Sequence, residues 1–187
     1  MLLKEIRENL KNKVSEKRYN HILGVEETAV KLAKRYGVKE EDARIAALLH
    51  DYAKQFSVYE MEKICIENFY EETKDYIDQG EILHGYVGAY IAEKEFNITD
   101  KNILDAIKYH TTGKRGLSIL GKIIYIADSI EPGRDYPTVK IIREAVEEDI
   151  NKGIIIESSE KIKYLVDIGA KVHLYTVDMR NWLLEKK

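Results

Sequence analysis

The sequence predicts an all-α protein, and three observations support this fold class. Apolar residues recur at spacings of three and four along most of the 187 residues, which is the repeat of helices with one buried face. The two prolines, Pro132 and Pro137, share one short stretch, so long helices are allowed elsewhere. The apolar runs at 123–126 and 154–156 are short enough to be strands, but neither has an alternating partner or a hairpin turn nearby. We therefore expect a bundle of about eight to nine helices.

The boundaries of these helices follow from capping and stop signals. Apolar positions over 22–36 form one helical stripe, and Gly37 follows as a C-terminal stop. The acidic start of segment 40–50 favours a helix start there, because acidic side chains complement the positive end of the helix dipole. Ser57 and Glu60 fit a capping box for the next helix. Further helices are expected over 85–96, 117–130, 138–149, 154–170 and 174–185. Thr99 and Asp100 can cap one more helix, which would begin directly after them.

The chain is expected to form a single domain over residues 1–187. Segment 131–137 has a loop composition and is the one candidate boundary. The tail beyond it offers few large apolar residues, so we expect helices 138–187 to pack on the core. No internal repeat or low-complexity segment divides the chain further.

Composition excludes several classes of function. The 30 basic and 33 acidic residues give a net charge of −3, which provides no general field for a nucleic acid polymer. The single cysteine, Cys65, excludes a disulfide framework and any multi-cysteine zinc or iron–sulfur site. The N-terminus has no apolar signal region, and no window of about 18 apolar residues occurs. We therefore expect no membrane partner and a cytoplasmic location.

Five polar side chains fall on the apolar faces of five predicted helices. A single inward histidine is most often a hydrogen-bonded core residue, but a buried carboxylate without a partner costs several kcal/mol. Several such groups together therefore indicate a cation or strong donors. The five are His21, Asp51, His84, His110 and Asp128.

The doublet His50–Asp51 makes a metal site the favoured interpretation. Adjacent helical side chains diverge by roughly 100°, so both reach one ion only across a helix end or between two flanking helices. Imidazole and carboxylate without a thiol suit iron, manganese, zinc or cobalt. The spacing is not the HExxH pattern of metalloproteases, and neither GxxxxGK[ST] nor GxGxxG occurs.

The order of these residues resembles that of the HD-domain metal-dependent phosphohydrolases: His21, His50–Asp51, His84, His110 and Asp128. The segments AALLHDYAK (46–54), YHTTGK (109–114) and ADSIEPGR (127–134) narrow the resemblance. They look like the bacterial YqeK-type family of symmetrical diadenosine tetraphosphate hydrolases, and the resemblance extends over nearly the whole chain. It implies an all-α HD bundle that cuts diadenosine tetraphosphate into two ADP.

The resemblance also implies a ligand set and a substrate site. It implies His21, His50, Asp51 and Asp128 as metal ligands, with iron as the metal. The sequence itself leaves manganese and other divalent ions open, and also the choice between one ion and two. His84 and His110 match positions beside the phosphates that hold a second ion in binuclear relatives. The catalytic candidates are Asp51, Lys54, His84 and His110.

Further residues are candidates for holding a nucleotide substrate. Lys54 lies three residues after Asp51 and can place its ammonium against a phosphate. Arg18 and Arg134 each carry a guanidinium group that can bind two phosphate oxygens at once, and Thr111 offers a hydroxyl. The full set of expected substrate-binding residues is Arg18, Asp51, His84, His110, Thr111, Asp128 and Arg134.

Alternatives remain open at this stage. His173 faces inward but lies outside the set, with either a packing role or a role at the nucleotide edge, and the match to the family is loose over 170–178. Another HD activity would be a nucleotidase or a hydrolase of an alarmone or cyclic nucleotide. A sensor that binds a nucleotide without turnover, or a purely structural polar core, would need no complete ligand set. A homodimer is also open.

Overall fold

The computed structural model describes residues 1–186, and its regular structure there is entirely helical. Two short 3₁₀ helices, Tyr52–Gln55 and Lys74–Tyr76, join the longer elements. Eleven α-helices occur in this part of the chain: α1 (Leu2–Lys13), α2 (Glu16–Tyr36), α3 (Glu40–Leu49), α4 (Val58–Asn68), α5 (Tyr70–Thr73), α6 (Gly80–Lys94), α7 (Lys101–Lys108), α8 (Ile119–Ile130), α9 (Val139–Glu148), α10 (Ile150–Asp167) and α11 (Leu174–Leu184).

The all-α prediction is confirmed, with more helices than the eight to nine expected. The two additions are α1 and the single turn α5. Helix α1 forms because two of its four apolar residues, Ile6 and Leu10, are completely buried, and it packs mainly on α3. The strand candidates at 123–126 and 154–156 lie inside α8 and α10 instead. An apolar run of that length is equally compatible with a helix buried on several sides.

The predicted helix ends are mostly confirmed. Ser57 and Glu60 form both bonds of a capping box, and Gly37 ends α2 with a left-handed φ of 68°. Asp100 caps α7, because its side chain accepts from the backbone N–H of Asn102, whereas Thr99 lies outside the cap. Helix α6 begins at Gly80 rather than at residue 85, so His84 lies within the helix.

Helix α8 lies at the centre of the packing, in contact with α2, α3, α7 and α10. Its central apolar side chains Ile123, Ile124 and Ile126 are fully buried. This arrangement brings the N-terminal part of α2 and the C-terminal ends of α3, α7 and α8 to one region. The polar residues found in the sequence lie on these segments and on α6.

The C-terminal helices lie against this centre through α10. Helix α10 contacts α8, α9 and α11. The 131–137 loop is held to α9 by Arg143, which donates to the carbonyl oxygens of Ile130 and Glu131 at 3.0 and 2.7 Å. Among the described helices, none combines the length and the apolar character needed to span a bilayer.

Candidate metal centre

The fold brings all six residues of the ordered set to one place. His21 lies on α2, and His50 and Asp51 lie in the turn that follows α3. His84 lies on α6, His110 follows α7, and Asp128 lies near the end of α8. The close approach of α6 to the end of α7 contributes to this convergence, since a Cβ at Gly85 would lie only 2.5 Å from the carbonyl oxygen of Lys108. Because residue 85 has no side chain, α6 packs against the end of α7, and His84 Nε2 lies 2.9 Å from His110 Nε2.

Asp51 is the centre of the cluster. Its Oδ1 atom lies 3.2 Å from His84 Nε2 and 3.7 Å from His110 Nε2. Its Oδ2 atom lies 3.5 Å from His21 Nε2 and 3.6 Å from His50 Nε2. One carboxylate therefore faces four imidazole rings, with two rings on each oxygen.

The four rings share one orientation. In each of them Nδ1 faces an oxygen that only accepts hydrogen bonds, so a neutral ring carries its hydrogen on Nδ1 and directs the Nε2 lone pair at the centre. Metal-binding histidines are commonly oriented in this way by acceptors behind the ring. The acceptors are Glu131 Oε1 for His21, at 3.2 Å, and three carbonyl oxygens: Ala47 for His50, Gly80 for His84 and Ile107 for His110, at 2.6, 3.1 and 2.7 Å.

The donor set fits a divalent cation. The Nε2 atoms of His21 and His50 are buried without a hydrogen-bond partner among the described residues, and such orphaned atoms are costly without a ligand. Nitrogen and carboxylate oxygen donors suit iron, manganese or zinc, and Cys65 is buried apart from them on α4. Three overlapping triads have donor atoms within 4.8 Å of one another: His21–His50–Asp51, His50–His110–Asp128 and Asp51–His84–His110.

The electrostatics keep most of these groups in their ligating forms. Burial lowers the pKa of His50 to about 4 and also lowers the pKa of His84, so both rings are neutral at neutral pH. Burial alone would raise the pKa of Asp51, but His50, His110 and His84 hold it well below its usual range. Burial likewise opposes ionisation of Asp128, yet the His21 ring keeps that pKa low. Asp51 and Asp128 thus offer anionic oxygen donors, and His50 and His84 offer neutral imidazoles.

His21 differs from the other rings. Burial would lower its pKa, but the carboxylates of Asp128 and Glu131 outweigh burial and raise it. His21 Nε2 lies 3.1 Å from Asp128 Oδ1. A cation at this position would replace the ring proton as the partner of these carboxylates.

The predicted cationic residues lie around the cluster. Arg18 Nη1 lies 2.5 Å from Asp51 Oδ2, and Arg134 Nη2 lies 2.6 Å from Asp128 Oδ1. Lys54 forms an ion pair with Glu81, so its ammonium already has an acidic partner. No pattern in the sequence indicates this pairing. Thr111 Oγ1 lies 3.1 Å from His110 Nε2, as its place after that ring suggested.

A cavity of about 690 Å³ opens beside His21, between α2 and the 131–134 loop. This volume is typical of sites for small organic ligands. Arg18 and Arg134 both line it, so two guanidinium groups lie where the cavity meets the cluster. The other lining residues are Ser15, Lys17, Asn20, Leu23, Gly24, Glu27, Glu131, Pro132 and Gly133.

Two neighbours of the cluster were missed in the sequence. Glu131 contacts His21, and its spacing of three from Asp128 was the available signal. Lys161 on α10 donates to the backbone oxygen of Thr111 at 3.2 Å, a contact between distant segments for which the sequence has no signal. Glu131 holds the His21 ring and Lys161 holds the backbone of Thr111, and neither contacts Asp51 at the centre of the cluster.

His173 lies outside the cluster, in a packing position. It is the N-cap residue of α11, and its Nδ1 accepts from the backbone N–H of Tyr175 at 3.1 Å. Its ring stacks on Tyr76 with 4.2 Å between the ring centroids. Of the two roles considered for His173, these contacts match packing.

Residues 18–133 match the HD domain family, and the matched segment contains all six residues of the cluster. The chain belongs to the HD domain family. This assignment agrees with the helical fold and with the order of histidines and aspartates along the sequence.

Relatives within the HD family extend the similarity to most of the chain. The symmetrical bis(5'-nucleosyl)-tetraphosphatase of Bacillus subtilis (strain 168) is 39% identical over 176 residues, which cover 94% of each chain. The enzyme of the same name from Staphylococcus aureus is 41% identical over 175 residues, covering 92% of this chain and 89% of that one.

A solved structure has the same fold throughout. The crystal structure of a predicted HD superfamily hydrolase involved in NAD metabolism, from Clostridium acetobutylicum, superposes with a TM-score of 0.94 at 42% identity. The superposition covers 98% of this chain and 97% of the other. The C-terminal helices beyond the matched HD segment are therefore part of a shared architecture.

Proposed function

We propose that the chain hydrolyses dinucleoside tetraphosphates and cuts diadenosine tetraphosphate at its middle to give two ADP. The observation that supports this most directly is the 39–41% identity, over almost the full length, to proteins named as symmetrical bis(5'-nucleosyl)-tetraphosphatases. The complete cluster of histidines and aspartates supports an enzyme over a sensor or a structural polar core, because neither of those needs convergent ligating atoms.

The proposed ligands are His21, His50, Asp51 and Asp128, with iron as the favoured metal and manganese as an alternative. A divalent ion held there supplies a Lewis acid for phosphate charge and lowers the pKa of a coordinated water. The triad of Asp51, His84 and His110 also presents convergent donors within 4.8 Å. We therefore favour room for a second ion here. The alternative, in which a protonated His84 donates to phosphate or to the leaving diphosphate, is disfavoured because burial lowers the pKa of His84.

The surrounding residues then bind and orient the substrate. Asp51, held ionised by the rings around it, accepts from the attacking water and orients it towards phosphorus. Arg18 and Arg134 bind non-bridging phosphate oxygens where the cavity meets the cluster, and this neutralises charge as the bond to the leaving diphosphate breaks. Lys54 and Thr111 offer further donors to the phosphate chain. The cavity beside His21 has room for one nucleoside portion.

We also predict that the protein is located in the cytoplasm, because a free nucleotide substrate would be found there. A homodimer is a further prediction.

The test is product analysis with defined metals. The full chain, purified without oxygen and loaded with Fe²⁺ or Mn²⁺, is incubated with diadenosine tetraphosphate and the products are separated by chromatography. Two ADP are expected. AMP and ATP would contradict symmetrical cleavage, and no turnover with either metal would contradict the function. Nucleoside monophosphates, alarmones, cyclic nucleotides and NAD, run in parallel, would reveal a different HD activity.

Asp51→Asn is the matching variant for this assay. We expect its turnover to fall by about 1000-fold or more, because the carboxylate faces four rings and is placed to hold the metal and orient water. Asp167→Asn, at the exposed end of α10, should keep wild-type turnover. Nucleotide binding without turnover in both wild type and Asp51→Asn would identify a sensor instead.

A further inference from the structure

Glu131 is a buried acidic residue at the C-terminal end of helix α8, where acidic residues are unfavourable. Helix α8 ends at Ile130, and the following Pro132 favours an extended backbone for Glu131, observed as φ −52° and ψ 156°. Only 5% of the residue is exposed. An anionic side chain at the C-terminal end of a helix opposes the helix dipole, so the carboxylate does not serve to stabilise α8. The carboxylate instead contacts His21 on α2 and the backbone of Gly133 in its own loop.

Both carboxylate oxygens of Glu131 have defined partners. Oε1 lies 3.2 Å from His21 Nδ1, and Oε2 accepts from the backbone N–H of Gly133 at 2.5 Å. The backbone oxygen of Glu131 accepts from Arg143 Nη2 at 2.7 Å, so the main chain is anchored as well. A side chain held at both oxygens and at its backbone has little rotational freedom left.

The surface of α2 leaves room for this carboxylate only because residue 24 is glycine. A Cβ at Gly24 would lie 2.6 Å from Glu131 Oε2, well inside van der Waals contact. Gly24 lies on α2 one turn after His21. Glycine inside a helix is less favourable than alanine, so its presence there needs a packing reason. That reason is the space that the Glu131 carboxylate occupies against α2.

We propose that Glu131 is a positioning residue that fixes the ring orientation and the tautomer of His21. A carboxylate accepts only, so the facing Nδ1 carries the hydrogen, and the Nε2 lone pair is left for a cation held beside Asp51 and Asp128. The other three rings of the cluster obtain the same orientation from carbonyl oxygens within one turn of their own backbone. His21 differs from them, because its acceptor is a side chain 110 residues further along the chain.

The inference rests on the proposed function in one respect, that His21 binds a metal. Its test is therefore direct Mn²⁺ binding to chelator-treated full chain, measured by calorimetry without any substrate. Glu131→Ala should weaken Mn²⁺ binding by about 10–100-fold, the usual effect of losing an acceptor behind a ligating histidine. Gly24→Ala should weaken it comparably while keeping the carboxylate, because the added methyl group pushes Glu131 away from His21.

The double variant separates this role from a general loss of folding. With the carboxylate gone, the methyl group of Gly24→Ala meets no oxygen. Gly24→Ala combined with Glu131→Ala should therefore bind Mn²⁺ as Glu131→Ala does alone, not with the product of the two losses. Gly24→Ala by itself decides the question if Glu131→Ala does not fold, since alanine favours the helix.

A matched control is the other buried acid of this region, Glu26 on α2. It is 4% exposed and pairs with Arg7 and Arg44 rather than with the cluster. Glu26→Gln should leave Mn²⁺ affinity unchanged even where it lowers stability. Equal losses in Glu26→Gln and Glu131→Ala would overturn the proposal.

The ring orientation gives a second readout with the diamagnetic ion Zn²⁺ bound. ¹⁵N NMR of the imidazole rings, with His21 assigned by its absence in His21→Gln, should show the Nδ1–H form of His21 in Zn²⁺-loaded wild type. The Nδ1–H form of His21 should lose population in Glu131→Ala and Gly24→Ala. Unchanged tautomers and unchanged Mn²⁺ affinity in both variants would overturn the inference alone. No Mn²⁺ binding by wild type would overturn the metal proposal along with it.

Discussion

Histidine rings take two opposite orientations in this protein. In the cluster, Nδ1 faces an acceptor and Nε2 is free to ligate. In His173, Nδ1 itself accepts from a backbone N–H, so the hydrogen lies on Nε2, which is buried without a partner among the described residues. His173 therefore presents no lone pair to a ligand. The hydrogen-bond partner, rather than burial, separates the four cluster histidines from the packing histidine here.

His173 should make stability depend on pH. Burial lowers its pKa to about 4, against about 6.5 in the unfolded chain. Between these values the unfolded state binds more protons, so stability is lost as the pH falls from about 6.5 towards 4. His173→Asn retains a capping side chain and removes the titration. Urea unfolding at several pH values should show a loss smaller by about 2 kcal/mol in this variant.

The opposite result is informative in the same experiment. If wild type and His173→Asn lose stability in parallel over this range, the folded-state pKa of His173 is not lowered. The other buried rings titrate in both proteins, so the difference between the two curves isolates His173.

At the scale of the elements, the site is built mainly from helix ends. His50 and Asp51 follow α3, His110 follows α7, and Asp128 lies in the last turn of α8. Turns and 3₁₀ geometry at such ends direct neighbouring side chains to the same region, which a continuous helix cannot do for adjacent residues. This resolves the difficulty that the His50–Asp51 doublet posed in the sequence.

The capping box of α4 provides a prediction at this scale. Ser57→Ala removes the acceptor for the backbone N–H of Glu60, so unfolding free energy should fall by about 1 kcal/mol. Turnover should not change, because Ser57 is exposed and contacts none of the cluster residues. Thermal unfolding measures the first effect, with Glu67→Ala on the exposed face of α4 as the control. A Ser57→Ala protein as stable as this control would contradict the capping role.

At the scale of the whole molecule, a buried network joins the C-terminal helices to the site. Glu157 on α10 is 5% exposed and accepts from Tyr125 and Ser129 on α8. Lys161, one turn later, lies 2.9 Å from Glu157 Oε1 and also donates to the backbone of Thr111. Helices beyond the 131–137 loop thus support the segment that follows His110.

Removing this carboxylate should destabilise the molecule as one unit. Glu157→Ala removes the anionic partner of Lys161 and the acceptor of two hydroxyl groups, which should cost about 3 kcal/mol. We expect one cooperative urea transition at a lower midpoint, as a single domain over 1–187 requires. Glu148→Ala, at the exposed end of α9, should change stability by less than about 0.5 kcal/mol. Two separate transitions in wild type would contradict the single domain.

The helical class, most helix boundaries and the six polar residues of the cluster could all be predicted from the sequence. This was possible because helical periodicity and caps are local, and because a polar residue on an apolar stripe is visible in one helix alone. The packing of distant segments was needed to establish which atoms converge, that Glu131 lies behind His21, that Lys54 pairs with Glu81, and that Lys161 supports Thr111. These contacts join distant segments, and their distances depend on how α2, α6, α8 and α10 pack, which local pattern does not specify.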